Sequence, residues 1–348
     1  MKKVIIPLIL ILFFGWLEIF SISENLARLQ LLWIILGFLI LIFSFKTNLR
    51  NIFNYPWFIK LLYLIALLLL LISLFFGPVI RGTKGWIVLG PFRFQPVEFA
   101  KIALVLIYAN YFSKKHIFVA SWKIIFESFI LFISLGILVL LQPDLGSFLI
   151  LFGIWFGFLL LSGLPGKKII TAILIFIILG IIGWNYFLKD YQKQRILAVF
   201  YPEKNALTIN YSTIQSKIAI GSSGFWGKGF KQGTQTQLGF LTEPSTDFIF
   251  SALVEEWGLI VGIIVILSFL FLIFGIIKIG IMANNNFLKF ICLGTIIVFG
   301  LHFVINLGST LGILPVIGVP FPFLSYGGSN LLINFLLISI ILSVAKYA

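Results

Sequence analysis

The sequence predicts an all-α polytopic membrane protein of about ten transmembrane helices. Three observations carry this expectation. Hydrophobic residues make up 61% of the 348 residues and charged residues 10%, with a mean hydropathy of +1.15. A soluble domain of this size has too little interior to hide so much apolar surface. Apolar runs of roughly 20 residues recur, the length a helix needs to cross a bilayer core. The runs are continuous rather than alternating, which argues against a membrane β-barrel.

Taken in order, spans are expected near 4–22, 29–45, 57–77, 96–113, 122–141, 146–162, 169–187, 247–277, 287–311 and 325–345. The opening MKKVIIPLILILFFGWLEIF has the basic and apolar regions of a signal peptide but no small-residue cleavage site, so it is expected to remain as the first helix. With ten alternating spans, Lys2, Lys3, Lys46, Arg50, Lys114, Lys115, Lys167, Lys168, Lys278, Lys289 and Lys346 all fall on one side. Short-loop charge marks that side as the cytoplasm and puts both termini there. Residues 1–348 are expected to form one transmembrane domain. The same bias explains part of the +14 net charge more simply than nucleic-acid binding does. Cys292 stands alone inside a span, which excludes disulfides and cysteine metal sites, and it reads as a small buried hydrophobe.

Between the seventh and eighth spans lies a long extracytoplasmic stretch, 188–246, of a length that is either functional or disordered. Its aromatic residues, among them Tyr191, Phe200, Tyr211, Trp226 and Phe230, favour structure. Within TINYSTIQSKIAIGSSG, Ile214 and Ile218 at i and i+4 predict a short amphipathic helix at the interface, stopped by glycine.

Candidate chemistry falls in five stretches. In RGTKGWIVLGPFRFQPVEFAK, Arg81, Lys84 and Arg93 face outward, Pro96 opens a helix, and Glu98 and Lys101 are spaced to pair. Charges inside a span usually mark function, although a pair can also simply lock two helices. In LQPDLGS, Asp144 sits in a tight turn where it either serves a site or caps the next helix. Arg195, Lys217 and Lys228 give the long loop a positive face beside aromatics, which suits a pyrophosphate or a sugar or is an ordinary solvated surface.

LTEPSTDFIFSALVEEWG places Asp247 at a helix start that Ser245 or Thr246 can cap. The alternative for Asp247 is a functional carboxylate facing the basic loop. Glu255 and Glu256 lie about two turns deeper and are expected to pair with other helices. Finally, the prolines and glycines of NLGSTLGILPVIGVPFPFLSYGGSNLL predict a re-entrant, irregular segment lining a cavity. His116 and His302 are too few for a histidine metal site, and His302 reads as a packed polar residue. No metal-ligand cluster is visible, although a divalent cation could assist a pyrophosphate.

RFQPVEFAK, LQPDLGS, YSTIQSKIAIGSSGFWGKGF, the PSTDFIF stretch and LPVIGVPFPFLSYGGSNLL together resemble the SEDS family, named for shape, elongation, division and sporulation. KQGTQTQLGFL is more similar to the elongation branch than to the division branch. The resemblance implies ten transmembrane helices and a peptidoglycan glycosyltransferase that polymerises lipid II outside the cytoplasmic membrane. It further implies that Asp247 is the essential aspartate, that Glu98, Lys101 and Asp144 are required polar positions, and that a class B penicillin-binding protein transpeptidase is the partner. Ser245 stands where the family commonly has histidine. On this reading Asp247 is a general base and Arg195, Lys217 and Lys84 stabilise the departing pyrophosphate. The competing expectation is a lipid II flippase or other transporter, which would need charges near the bilayer midplane.

Overall fold

The computed structural model describes residues 1–46, 55–80, 82–90, 92–188, 190–201 and 210–347, and Arg81 lies outside them. Ten long helices run through the described residues: α1 (Lys2–Ile22), α2 (Glu24–Lys46), α3 (Pro56–Phe76), α4 (Pro96–Lys115), α5 (Trp122–Leu141), α6 (Leu145–Leu161), α7 (Gly166–Ile182), α11 (Ile249–Met282), α12 (Asn286–Thr310) and α13 (Gly328–Tyr347). Between α7 and α11 the long loop carries α8 (Asp190–Phe200), α9 (Tyr211–Gly221) and the single turn α10 (Thr234–Gln237). Eight of the long helices are long and apolar enough to cross a membrane by themselves. The other two are α6, a shorter apolar helix, and α4, which carries the buried pair Glu98 and Lys101. The chain is a multi-pass membrane protein.

Local chemistry sets the helix starts. Pro56 and Pro96 open α3 and α4, where a missing N–H costs nothing. Asp144 and Asn285 cap α6 and α12, accepting from the amides of Ser147 and Leu288, each at 2.9 Å. One element was not anticipated: a hairpin of β1 (Ile87–Leu89) and β2 (Phe92–Phe94), pairing Ile87 with Phe94. The Gly-Pro dipeptide inside IVLGPFRF was its signal.

Helix α4 is the centre of the bundle, enclosed from Pro96 to Ala109 by α3, α12, α6 and α13. Helix α1 lies along α11, and α2 lies along α13. Near the C-terminal end of α4, the rings of Phe112, Phe158 and Phe290 cluster with centroids within 6.3 Å of one another.

Three expectations need correction at the end that carries the long loop. The helix at 211–221 exists, but it buries Thr213, Ser216 and Ala219 and leaves Ile218 exposed. Small side chains let it approach α11 and α12 closely, and Ser216 Oγ bonds Ser251 Oγ at 2.6 Å and the Thr310 carbonyl at 2.7 Å. Helix α11 begins at Ile249 behind Phe248, so Ser245 and Thr246 do not cap it and Asp247 stands outside its first turn.

Nor is α11 continuous. Gly258 has φ 87° and ψ 170°, and the main chain of 224–229 enters the break. The amides of Lys228 and Gly229 donate to the carbonyls of Glu255 and Glu256, each at 2.9 Å, while Leu259 and Ile260 donate to Gly224 and Phe225. A Cβ on Gly258 would lie 2.2 Å from the Phe225 carbonyl oxygen, so both the conformation and the contact require glycine. Residues 259–282 alone make about 36 Å of helix, enough to cross a bilayer core.

Candidate active site

The irregular segment 311–327 starts at the surface, with Leu311, Ile313 and Gly318 exposed, and turns inward from Val319 to Ser325, where buried backbone polar groups need partners. Neighbouring side chains meet much of this demand. Asn306 Nδ2 donates to the Val319 carbonyl at 2.9 Å, and His302 bonds the Pro320 carbonyl through Nδ1 at 3.1 Å. Ser325 Oγ accepts from the Phe321 amide at 2.8 Å, and Gln30 Nε2 donates to the Ser325 carbonyl at 3.3 Å.

The same segment holds the turn that presents Asp247. Three successive carbonyls of that turn accept bonds. Ser245 receives the Tyr326 amide at 2.8 Å, Thr246 the Ser325 hydroxyl at 2.7 Å, and Asp247 the Asn306 amide at 3.0 Å. The main chain of Asp247 is therefore fixed while its side chain remains half-buried. Its carboxylate faces Gly318, where a methyl group would lie 3.8 Å from Oδ2.

Two residues upstream of Gly318, the Val316 carbonyl accepts from Arg195 Nη1 at 3.4 Å. Arg195 on α8, Lys217 on α9, and Gly312 and Pro315 of the irregular segment line a pocket of about 90 Å³. The Lys217 ammonium lies over Gly312, and a methyl there would come within 2.6 Å of it. Two of the predicted cations thus share one pocket, connected to Asp247 through residues 316–318. A pocket with a guanidinium and an ammonium on its rim suits an anionic phosphate group.

The other candidates take different places. Lys228 belongs elsewhere: its ammonium is 2.8 Å from Glu255 and 2.7 Å from Thr234 Oγ1, so its charge is spent on the protein. Glu255, expected to pair with another helix, instead organises the loop, also accepting from the amides of Gln235 and Thr236 and the hydroxyls of Thr234 and Thr236 within 3.2 Å. Glu256 accepts from Ser21 on α1 and from Lys231 N and Gln237 Nε2 of the loop. The physical reason is the break at Gly258, which drops the loop onto the carboxylates. Lys84 is exposed, and its amide donates to the Gln142 carbonyl beside the Asp144 turn. It does not line the Arg195–Lys217 pocket.

Asp144 is the cap of α6 and also accepts from Ser147 Oγ at 2.7 Å. Next to it, Gly146 lets the Ile317 carbonyl approach where a Cβ would be only 2.4 Å away. The turn that Asp144 caps therefore meets the irregular segment at residue 317, beside the position that faces Asp247.

Glu98 and Lys101 form a buried pair at 2.8 Å. Lys101 Nζ also meets His302 Nε2 at 2.9 Å, and Glu98 accepts from Asn330 at 3.0 Å, which in turn receives Asn334. With Lys101 donating to Nε2, His302 carries its proton on Nδ1 and donates to Pro320. His302 and Asn306, one turn apart on α12, were not singled out by sequence as site residues. Their signal was polarity inside an apolar span. Among the described residues, no group of three or more His, Cys, Asp or Glu side chains is placed to hold a metal ion.

A family profile described as cell cycle protein, of the FtsW, RodA and SpoVE type, matches residues 4–348. The chain belongs to this family. Among its curated relatives, the peptidoglycan glycosyltransferase MrdB of Escherichia coli K12 is 39% identical over 284 residues, covering 81% of this chain and 76% of that one. The probable peptidoglycan glycosyltransferase FtsW of Haemophilus influenzae is 38% identical over 295 residues, covering 83% and 73%. A solved structure titled for the coordination of polymerization and crosslinking by a peptidoglycan synthase complex matches with a TM-score of 0.85 at 26% identity, over 100% of this chain and 98% of that one. The crystal structure of RodA from Thermus thermophilus shares the fold, with a TM-score of 0.72 at 24% identity over 99% and 96% of the two chains. The FtsW/RodA/SpoVE profile covers α1 to α13, so the Asp247 turn, the irregular segment and the loop helices all lie within the family's domain.

Proposed function

We propose that this chain is a peptidoglycan glycosyltransferase of the elongation type, polymerising lipid II at the outer face of the bacterial cytoplasmic membrane. The observation that carries the reading is that one half-buried carboxylate, Asp247, and one dibasic pocket, Arg195 with Lys217, pack against the same irregular segment, at Gly318 and at residues 312–316. Likeness to MrdB supports the reaction class.

The donor is the growing strand's terminal MurNAc on undecaprenyl pyrophosphate, and the acceptor is the GlcNAc 4-hydroxyl of a second lipid II. Asp247 takes the hydroxyl proton as the oxygen attacks C1. The C1–O bond to pyrophosphate breaks, the electron pair leaves with the phosphate, and the configuration at C1 inverts. Arg195 and Lys217 neutralise the charge that develops on the leaving group. Lys84 does not line this pocket and is not assigned the role; the Asp144 turn abuts the segment through Gly146. A divalent cation, if used, would bind the pyrophosphate itself. The loop-bearing end is then extracytoplasmic and both termini are cytoplasmic, in keeping with the lysines of the short loops. The match to a synthase complex supports a class B penicillin-binding protein transpeptidase as partner.

The transporter reading would use the buried chain of Glu98, Lys101 and His302. Lys101 is held by Glu98 and His302, and Glu98 by Asn330, which favours a structural bond between α4, α12 and α13. The two readings separate in one experiment. The purified chain, with its transpeptidase partner and lipid II in liposomes, should make glycan strands. Movement of labelled lipid II across the bilayer without polymer would overturn the assignment.

A further inference from the structure

At the end of the bundle that carries both termini, α3, α4 and α5 enclose a cleft of about 350 Å³. Lys60, Asn110, Tyr111, Lys114, Lys115 and Glu127 supply its polar walls. Lys115 and Glu127 form an ion pair at 2.7 Å, and Tyr111 donates to the same Glu127 oxygen at 2.6 Å. Lys115 also lies 4.6 Å from the Tyr111 ring centre. These contacts build a fixed wall and cancel one positive charge. Lys60 and Lys114 are exposed, and neither has an ion-pair partner among the described residues. Lys123, on the first turn of α5, adds a further positive charge at this end.

The deeper wall changes character. Ile107 and Leu131 line the cleft there. Beyond them the outward surface continues apolar, with Leu61, Leu64 and Leu68 exposed on α3 and Phe126 and Ile130 on α5. A cationic mouth at headgroup depth that runs into an apolar groove matches the two halves of one molecule. We propose that this cleft binds an anionic phospholipid of the leaflet on the termini side, with the phosphate between Lys60 and Lys114 and an acyl chain against Ile107 and Leu131. Basic pockets between transmembrane helices hold acidic headgroups by this chemistry, and a lipid site here would tie α3 and α5 to the central helix α4, far from the Asp247 end.

The test is lipid retention by the full-length protein purified in neutral detergent, read by native mass spectrometry and by melting temperature during titration. Phosphatidylglycerol should be retained and should raise the melting temperature, while phosphatidylcholine and inorganic phosphate should do neither. Removing both lysines in Lys60→Gln/Lys114→Gln should weaken retention about five-fold for each lysine, and Lys60→Arg/Lys114→Arg should restore it. Both side chains are exposed, so these variants should melt like wild type without lipid. The control Lys278→Gln/Lys289→Gln removes equal charge from α11 and α12 and should leave retention unchanged. Equal loss in the control would reduce the effect to the general positive face and overturn the site. Equal retention of phosphatidylcholine would do the same, and equal binding of inorganic phosphate would replace the lipid with a free anion.

Discussion

Asn306 holds Asp247 by its main chain: one side-chain amide donates to the Asp247 carbonyl at 3.0 Å and to the Val319 carbonyl at 2.9 Å. The candidate base and the segment that carries the basic pocket are thereby joined through a single residue of α12. Asn306→Ala leaves two buried carbonyls unsatisfied, at a cost of about 1–3 kcal/mol. Turnover should fall on the order of 100-fold because small misplacements of reacting groups are expensive, while KM for lipid II changes little. Steady-state kinetics beside a melting curve separate the two effects.

Glu255 is the hub of the loop fold, and Lys228 is one of its five donors' residues of origin. Glu255→Gln should loosen residues 228–237, seen as faster hydrogen exchange or protease cleavage there, with α4 unaffected. In a double-mutant cycle, adding Lys228→Met to Glu255→Gln should cost clearly less than Lys228→Met alone, since the ion-pair partner is already gone.

Gly258→Ala tests the break in α11. A side chain there meets both a positive φ of 87° and the Phe225 carbonyl. Strain of this kind costs about 1–3 kcal/mol, so the melting temperature should fall, and the 224–229 segment should exchange faster.

The buried pair gives a fourth prediction. Lys101→Met strands the Glu98 carboxylate in the bundle and should cost about 3–5 kcal/mol, whereas Glu98→Gln/Lys101→Met should recover part of that loss. If the double variant is as unstable as the single one, the pair's charge is not what matters there.

Much of this architecture was legible in the sequence. Apolar run length located eight of the ten long helices because bilayer thickness fixes the length directly, and the shorter α6 and the charge-bearing α4 were placed from weaker runs. The Pro- and Gly-rich stretch near 311–327 announced irregular backbone, and Glu98 and Lys101 announced a pair by spacing. What escaped was tertiary in origin. The break at Gly258 depends on a loop more than twenty residues away that inserts its own main chain, so Glu255 read as a helix-to-helix contact. The face of α9 was misread because its neighbours take small polar residues at close range, not isoleucine against lipid. Lys228 and Arg195 looked equivalent as loop cations, and only the fold separates the one neutralised by Glu255 from the one beside Val316.

The basic pocket should contribute to turnover without setting the fold. Arg195→Ala and Lys217→Ala should each lower kcat for polymerisation about 10- to 1,000-fold, as loss of a charge-stabilising donor does. Lys84→Ala should have a much smaller effect, because Lys84 does not line the pocket.

The most direct measurement is the rate of glycan-strand synthesis from lipid II by purified Asp247→Asn with the proposed transpeptidase partner. The substitution is nearly isosteric and keeps the main-chain bond from Asn306. A lost general base should reduce the rate by about 100-fold or more with an unchanged melting temperature. Polymerisation at the wild-type rate would contradict the role assigned to Asp247.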